Sequence, residues 1–453
     1  MTTLEPSACV LLLGLPEKAF CGIDLLSFTT SPRFHGIKHL PPGFHLVFTG
    51  VNNSFSLRYG AWFYVKEPIH NLPDLHIKKW NAQSEELVAE TDTAEILRWR
   101  ANLGSIWREG LTPYRQTVTK DASENGVVKE DKVDWHRLTD CITENVLNRI
   151  TGTPTSPNHW ALTSASSAKI DVDVIPGLSE EETSVLAEKE LGFLPINLKQ
   201  TWREGAVGRE RTLAAQDRSW ALGQIITTLC IDPLEVVGEL QFCFLSLLKL
   251  NNNSCLEQWK RLLGLLLTCQ DAVQTYPTLF TKLLSTLKLQ LEHCQDAEGG
   301  LFDMREEGSN MLRPLLKRFR HGLEQQSGLA KADIMDELDE LEEYLRAEHG
   351  WLLNQDYARH GVLQLEDGEE VMMDMNPEDE GDESGEFAPA MVELTPEQAR
   401  ELGIEYVQPP QKASPDGHAE NAASRVHQDV EELDDDDADE EETMDLDDMD
   451  ARY

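Results

Sequence analysis

The sequence predicts an α+β protein with a β-rich, sandwich-like N-terminal domain, an all-α helical C-terminal domain and a disordered acidic tail. Residues 8–82 hold short runs of branched and aromatic residues, and residues 217–322 hold apolar residues at helical spacing. Acidic residues are concentrated after residue 362. We expect a β-rich domain with flanking helices at 1–150, a linker at 151–194, a helical domain at 195–350 and a tail at 351–453.

Short runs in the N-terminal part predict β-strands, because turn residues such as Gly, Pro and Asn bound each of them. Several strands at this spacing are typical of an antiparallel sandwich or barrel. Beyond Thr93 the apolar spacing becomes helical, over residues 96–103 and 138–150, and we expect these helices to pack on or beside the sheet. The predicted strands are Val10–Leu13, Phe44–Thr49, Ala61–Val65 and Leu75–Trp80.

The stretch from Thr151 to Glu190 is first rich in Ser, Thr and Pro and then acidic. This composition indicates a linker or an inserted loop that carries phosphorylation sites. Trp160 stands out in it and is expected to anchor the segment on a domain.

The segment Gly238–Leu267 reads as two apolar helices joined by a short Asn turn. We expect Asp232 and Pro233 to open the first helix, with Glu235 completing a capping box, and Ser254 to cap the second. Two further helices are predicted: one opened by Pro277 and an amphipathic one over Lys331–Arg346.

The net charge of −41 is unevenly distributed. Residues 363–453 hold 32 of the 81 acidic residues and 4 of the 40 Lys and Arg residues, which predicts a self-repelling, disordered tail. This balance argues against direct nucleic-acid binding, which depends on Lys and Arg contacts to phosphates. One basic stretch is either a solvated helix face or a partner-binding patch; it consists of Arg313, Lys317, Arg318, Arg320 and His321.

The eight cysteines form no CxxC pair, so we expect free buried thiols in a reducing compartment rather than disulfides or zinc ligands. The apolar run Ala8–Leu15 is too short to span a membrane and is interpreted as a strand. The chain is therefore expected to be soluble and intracellular, without a membrane partner.

The candidate residues for a Cys–His hydrolase or metal site are Cys21, Asp24, His35, His39 and His45. The intervening Pro41, Pro42 and Gly43 exclude a helical metal site, and Asp24 is better explained as a turn cap. The sequence contains no GxxxxGK[ST], GxGxxG, GxSxG or HExxH motif. We therefore expect no enzyme activity, no metal and no cofactor.

Several motifs together resemble the A1-cistron splicing factor family. They are VLLLGLPEKAFCGIDLLSF, PRFHGIKHLPPGFHLVF, RYGAWFYV, RANLG, GELQF, QWKRLLGLL and APAMVEL, in the family's order. The resemblance implies a non-enzymatic assembly chaperone of the U5 small nuclear ribonucleoprotein. It also implies binding to the RNase H-like and Jab/MPN domains of the large U5 scaffold protein, and exclusion of the spliceosomal helicase until maturation.

A candidate partner-binding peptide lies in the acidic tail, within residues 386–394, and comprises Ala388, Pro389, Ala390, Met391, Val392, Glu393 and Leu394. In an extended chain Ala390, Val392 and Leu394 point to one side, so the peptide suits β-augmentation of a partner's sheet edge. The resemblance implies the same, since family members bridge the two scaffold domains with a C-terminal strand. Docking of the peptide on its own domain remains an alternative.

A second function is left open, in which the tail makes the protein a general acidic chaperone for basic clients such as histones. For the leading hypothesis we expect the protein in the nucleus and the cytoplasm, with phosphorylation promoting release of the partner.

Overall fold

The computed structural model describes residues 7–51, 57–67, 73–115, 134–154, 156–168, 190–294, 308, 310–326, 328, 330–353, 359–364 and 370–375. These residues belong to one compact unit. The predicted order of a β-rich N-terminal part followed by a helical C-terminal part is confirmed. None of the helices in the described part of the chain has the length and apolar composition needed to cross a membrane.

The N-terminal part forms a β-sandwich flanked by helices. Its strands are β1 (Ala8–Leu13), β2 (Phe20–Ile23), β3 (Leu26–Thr29), β4 (Gly36–Leu40), β5 (Gly43–Gly50), β6 (Arg58–Val65), β7 (Leu75–Asn81) and β8 (Glu86–Ala89). Then follow α1 (Thr93–Glu109), β9 (Leu111–Pro113), α2 (Asp134–Thr139), α3 (Glu144–Thr151) and β10 (Trp160–Thr163). The strand orders are β8-β7-β1-β4-β9 in the first sheet and β10-β6-β5-β2-β3 in the second.

Both sheets are covered on both faces. In β6, for example, successive side chains point to opposite faces of the second sheet. Tyr59, Ala61 and Phe63 lie in the core between the two sheets. Trp62 points the other way and joins the core that the second sheet shares with the C-terminal helices. In the same way, α1 packs on the outer face of the first sheet. Burial on both faces explains why β1 and β6 are almost continuously apolar rather than alternating.

The helical part follows from residue 209 onward. Its helices are α4 (Arg209–Gln216), α5 (Ser219–Leu229), α6 (Glu235–Leu250), α7 (Asn253–Leu266), α8 (Ala272–Thr275), α9 (Pro277–His293), α10 (Arg313–Gln325) and α11 (Ala330–His349). All sixteen residues of α6 are buried, so it is the central helix that the sequence predicts. The predicted apolar stripe on α11 is fully buried, at Ile334, Leu338, Leu341 and Leu345.

Two predicted helix starts differ from the structure. The helix α6 begins at Glu235 rather than at Asp232; the Asp232 carboxylate instead accepts a hydrogen bond from the Leu234 amide at 2.7 Å. The cap of α7 is Asn252, whose side-chain oxygen accepts from the Cys255 amide at 2.8 Å. The predicted cap, Ser254, lies inside the helix, where its hydroxyl accepts from the amide of Ala168 at 3.3 Å.

Part of the predicted linker 151–194 is a strand. Residues 160–163 form β10, which pairs antiparallel with β6 at the edge of the second sheet. The interpretation as a linker or loop is therefore wrong for these residues, because Trp160 and Leu162 are buried in the shared core. The expectation that Trp160 anchors the segment agrees with this packing.

The predicted tail contains a hairpin of two strands, β11 (Arg359–Gln364) and β12 (Glu370–Met375). The two strands pair antiparallel, from Arg359 opposite Met375 to Gln364 opposite Glu370. Residues 386–394 lie outside the described residues.

Candidate functional site at the junction of sheet and helices

The GELQF segment at the start of α6 forms the junction between the N-terminal and C-terminal parts. At Gly238 a Cβ would lie 2.2 Å from the carbonyl oxygen of Cys141, so only glycine allows this approach. The Gln241 side chain accepts from the amide of Cys141 at 3.0 Å and donates to the Arg137 carbonyl at 3.1 Å and the Asp140 carboxylate at 2.8 Å. The turn between α2 and α3 is thereby fixed on α6.

Glu239 is a fully buried carboxylate at the same junction. It pairs with Arg149 of α3 at 3.0 Å and accepts from the Leu194 amide at 3.0 Å and from the Gln258 amide group of α7 at 2.8 Å. Burial raises the pKa of Glu239 above its usual value despite the opposing charge of Arg149. A buried charge is tolerated only with such partners. Glu239 therefore requires α3, the segment around Leu194 and α7 to be in place.

The end of α6 is held on the second sheet by a further set of contacts. Arg58 donates to the Lys249 carbonyl at 3.1 Å, and the Lys249 ammonium donates to the Leu25 carbonyl at 2.8 Å. A Cβ at Gly60 would lie 2.8 Å from the Leu250 side chain, which shows how closely the helix approaches β6. Arg58 therefore fixes the C-terminal end of α6 to β6.

Of the five residues considered for a Cys–His or metal site, the structure brings Asp24 and His45 together. The buried Asp24 carboxylate pairs with His45 Nδ1 at 2.7 Å and accepts from the Leu46 amide at 3.0 Å and from the Tyr114 hydroxyl. Asp24 itself has φ +55° in the two-residue turn of the β2–β3 hairpin, as the turn interpretation predicts. Burial alone would lower the pKa of His45, but the charge and hydrogen bond of Asp24 raise it overall.

The remaining three candidates lie elsewhere. The thiol of Cys21 is buried between the sheets, and burial raises its pKa to about 12, so it is a poor nucleophile. His35 bonds to the Arg33 carbonyl, and His39 to the Ser7 hydroxyl. No group of His, Cys, Asp and Glu side chains in the described ranges could hold a metal ion. Burial raises the pKa of several other thiols in the same way, including those of Cys9, Cys141 and Cys294.

The basic stretch of α10 is partly internal, contrary to the interpretation as a wholly solvated face or patch. Arg320 is buried and pairs with Asp339 at 2.8 Å and Glu342 at 2.7 Å, both on α11. His321 remains exposed, and Arg318 donates to the Gln216 carbonyl at 2.7 Å. Arg320 therefore stabilises the packing of two helices.

The structural role of the polar residues at this junction was not predicted from the sequence. The signal was available, since Glu239 and Gln241 are polar positions in a helix that is apolar over most of its circumference. A polar residue that a helix buries on all sides needs a specific partner.

The fold and the junction thus define a scaffold in which a β-sandwich and a helical domain share one core and polar motifs fix them to each other. Comparisons with known proteins agree. A family model described as "AAR2 N-terminal domain" matches residues 6–152, and one described as "AAR2 C-terminal repeat region" matches residues 193–354. The chain belongs to the AAR2 family, a splicing-related family that is not known as an enzyme family.

Individual relatives show the same extent of similarity. The chain is 27% identical to the "Protein AAR2 homolog" of Homo sapiens over 314 residues, which cover 63% of this chain and 75% of that protein. It is 27% identical to that of Mus musculus over 318 residues, with the same coverage. The homolog of Caenorhabditis elegans is 25% identical over 313 residues, which are 63% of this chain and 79% of the relative.

Proposed function

We propose that this protein is a non-enzymatic assembly chaperone of the U5 small nuclear ribonucleoprotein. It binds the RNase H-like and Jab/MPN domains of the large scaffold protein and blocks premature binding of the helicase. The observation that carries the proposal is that both AAR2 family regions match in order, at 6–152 and 193–354. The protein acts in the nucleus and the cytoplasm, as this role requires.

The physical basis is a folded body combined with a tethered peptide. The junction motifs keep the body in one arrangement, and the peptide Ala388–Leu394 adds a strand to a partner's sheet. Two linked contacts give a high effective concentration, yet each contact can be released on its own. Phosphorylation near either contact would promote release through charge repulsion.

The test is calorimetric binding of the full chain to the isolated RNase H-like domain, and then to that domain linked to the Jab/MPN domain. Binding that weakens at least tenfold when residues 386–394 are deleted supports the proposal with the strand at the interface. In the intact peptide, Val392→Asp should weaken binding, whereas Met391→Asp, on the opposite side of an extended strand, should have a smaller effect.

Absence of binding to both partner constructs would contradict the proposal. The acidic-chaperone alternative predicts instead that deletion of residues 429–453 abolishes binding to a basic client such as histone, because those residues include the run Asp434–Asp437. The assembly function predicts no loss of scaffold binding in the same deletion variant.

A further inference from the structure

Two cysteine side chains face each other between α6 and α7. Cys243 on α6 and Cys255 on α7 are both 0% exposed and belong to the core that the second sheet shares with the helices. Their thiols are hydrogen-bonded to each other. The interior of the protein therefore holds two free thiols in direct contact, which is the arrangement from which a disulfide forms.

The register of the two helices places these cysteines opposite each other by a separate contact. Helices joined by a turn as short as residues 251–252 pack antiparallel. The Gln258 amide group of α7 donates to the Glu239 carboxylate of α6 at 2.8 Å. Residues three or four positions apart share a helix face, so one turn forward on α6 is Cys243 and one turn back on α7 is Cys255. Both cysteines therefore lie at the same level of the interface.

Further contacts hold the helices in this register. The rings of Phe244 and Trp259 are in contact, with centres 6.3 Å apart, and the Asn252 side chain accepts from the Cys255 amide at 2.8 Å. The two sulfurs must approach to a bond length of about 2.05 Å in a disulfide. Because the thiols already touch, we expect rotation of the two side chains to bring them together without a shift of the helices.

The surroundings of the two thiols differ. Burial, and next the hydrogen bond and charge of Cys255, raise the pKa of Cys243. Cys255 lies in the first turn of α7, and the N-terminal end of a helix favours negative charge. The thiolate is the reactive form of a cysteine, so we expect Cys255 to be oxidised first and Cys243 to complete the bond.

We propose that Cys243 and Cys255 form a reversible disulfide when the protein meets hydrogen peroxide, and that this bond locks α6 to α7. The peroxide oxidises the Cys255 thiol to a sulfenic acid; its O–O bond breaks and one water leaves. The Cys243 sulfur then attacks the sulfenic sulfur, so that the S–S bond forms, the S–O bond breaks and a second water leaves. The two thiols lose two electrons and two protons, which the peroxide takes up. A thiol reductant such as glutathione reverses the reaction by exchange.

Burial determines when this reaction occurs. Both thiols are inaccessible while the helices are packed, so peroxide reaches them only during local opening. The neighbouring thiol then traps the sulfenic acid before it is oxidised further. The bond closes a loop over residues 243–255, and such a cross-link stabilises the folded chain. The inference goes beyond the proposed role in assembly and does not depend on it.

The test treats the folded full chain with hydrogen peroxide, then unfolds it, alkylates the remaining thiols and maps its peptides without reduction. The number of free thiols should fall from eight to six. Trypsin cleaves after Arg218, Lys249 and Lys260, so the bond should link peptides 219–249 and 250–260. Fragmentation of the linked peptides must place the bond on Cys243, because Cys230 lies in the same peptide. Dithiothreitol should restore all eight thiols.

Cys230→Ser is the matched control, because Cys230 is a partly buried cysteine on the same tryptic peptide, and this variant should form the same disulfide. Cys255→Ala should form none. In urea titrations the oxidised wild type should unfold at a higher urea concentration than the reduced protein, and peroxide should not raise the midpoint of Cys255→Ala. In the wild type, an unchanged thiol count, a bond between other cysteines, or oxidation of Cys243 or Cys255 only to sulfinic acid would each overturn the proposal.

Discussion

At the scale of single residues, the most unusual group is the buried ammonium of Lys78. It is 2% exposed, lies 5.4 Å from the centre of the Phe63 ring and contacts His159 Nδ1 at 2.6 Å. Burial lowers the pKa of Lys78 to about 7. The charged form is therefore disfavoured in the folded state. Folding is less favourable at pH values at which Lys78 is protonated in the unfolded chain.

This penalty gives stability a pH dependence with a definite sign. Between about pH 7 and the unfolded pKa near 10.5, the unfolded chain binds more protons, so the penalty declines as pH rises. From pH 7.0 to 8.5 the free energy of unfolding of the wild type should rise by about 2 kcal/mol relative to that of Lys78→Met. Urea titrations at the two pH values measure this difference. Lys79→Met, at the exposed neighbouring residue, should retain the pH dependence of the wild type. If the unfolding free energies of Lys78→Met and wild type changed equally with pH, the lowered pKa of Lys78 would be refuted.

A second residue-scale prediction concerns His45. Its pKa is raised because Asp24 outweighs the lowering effect of burial. Asp24→Asn keeps a side chain that tolerates positive φ but removes the charge, so burial, the largest influence on the imidazole, is then opposed chiefly by the hydrogen bond to the Pro41 carbonyl. NMR titration should then show the pKa of His45 below its ordinary value of about 6.5. A His45 pKa that stays raised in the variant would mean that another group sets it.

At the scale of elements, three consecutive asparagines between α6 and α7 have different structural roles. Asn251 has φ +56° and ends α6, whereas Asn253 is exposed. Asn252 is fully buried, caps α7 and donates to the carbonyls of Thr163 at 2.9 Å and Ser166 at 2.7 Å. One side chain thus joins the helix to the segment that follows β10.

Alanine substitutions at Asn252 and Asn253 should distinguish these structural roles. Asn252→Ala removes a cap and leaves buried carbonyls without their donor, which together should cost about 2–4 kcal/mol of unfolding free energy. Asn253→Ala should change it by less than about 0.5 kcal/mol, as is usual at exposed positions. Chemical denaturation of both variants provides the comparison, and similar losses would show that the buried hydrogen bonds contribute little.

The elements that the sequence predicts well are those whose pattern is local. β5 and β6 coincide with the predicted runs of branched and aromatic residues, the stripe of α11 has the expected helical spacing, and Pro277 begins α9 as predicted. The short strands β2 and β4, FCGI and GIKHL, were missed because each contains glycine and lies among turn residues. They are specified by pairing with other strands, β2 with β3 and β5, and β4 with β1 and β9, and such pairing leaves no periodic trace in the sequence.

The candidate surfaces were harder to predict than the fold. For example, α4 has no buried side chain, and this exposure depends on tertiary packing, which helical spacing does not report. The cap of α7 was misplaced by two residues because Asn252 and Ser254 are both good capping residues, and the carbonyl partners of Asn252 lie almost ninety residues away.

At the scale of the whole molecule, the two AAR2 family regions are not independent domains. The helix-facing side of the second sheet contributes Phe20, Leu46, Phe48 and Trp62 to the same core that contains α6. Trp62 stacks on Phe242 of α6, with ring centres 5.8 Å apart. Sheet and helices therefore provide each other's interior.

Separating the two regions should prevent either from folding normally. Exposing four large apolar side chains at about 1.5–3 kcal/mol each costs an amount comparable to the 5–15 kcal/mol that holds a typical domain. Fragments 6–152 and 193–354 should each bind a hydrophobic dye and lack a cooperative thermal transition, and fragment 6–152 also lacks β10. The intact chain, as the control, should show one transition for its sheet and helix signals. A sharp transition of fragment 6–152 alone would contradict this prediction, because the sheet would then be stable without the helices that cover it.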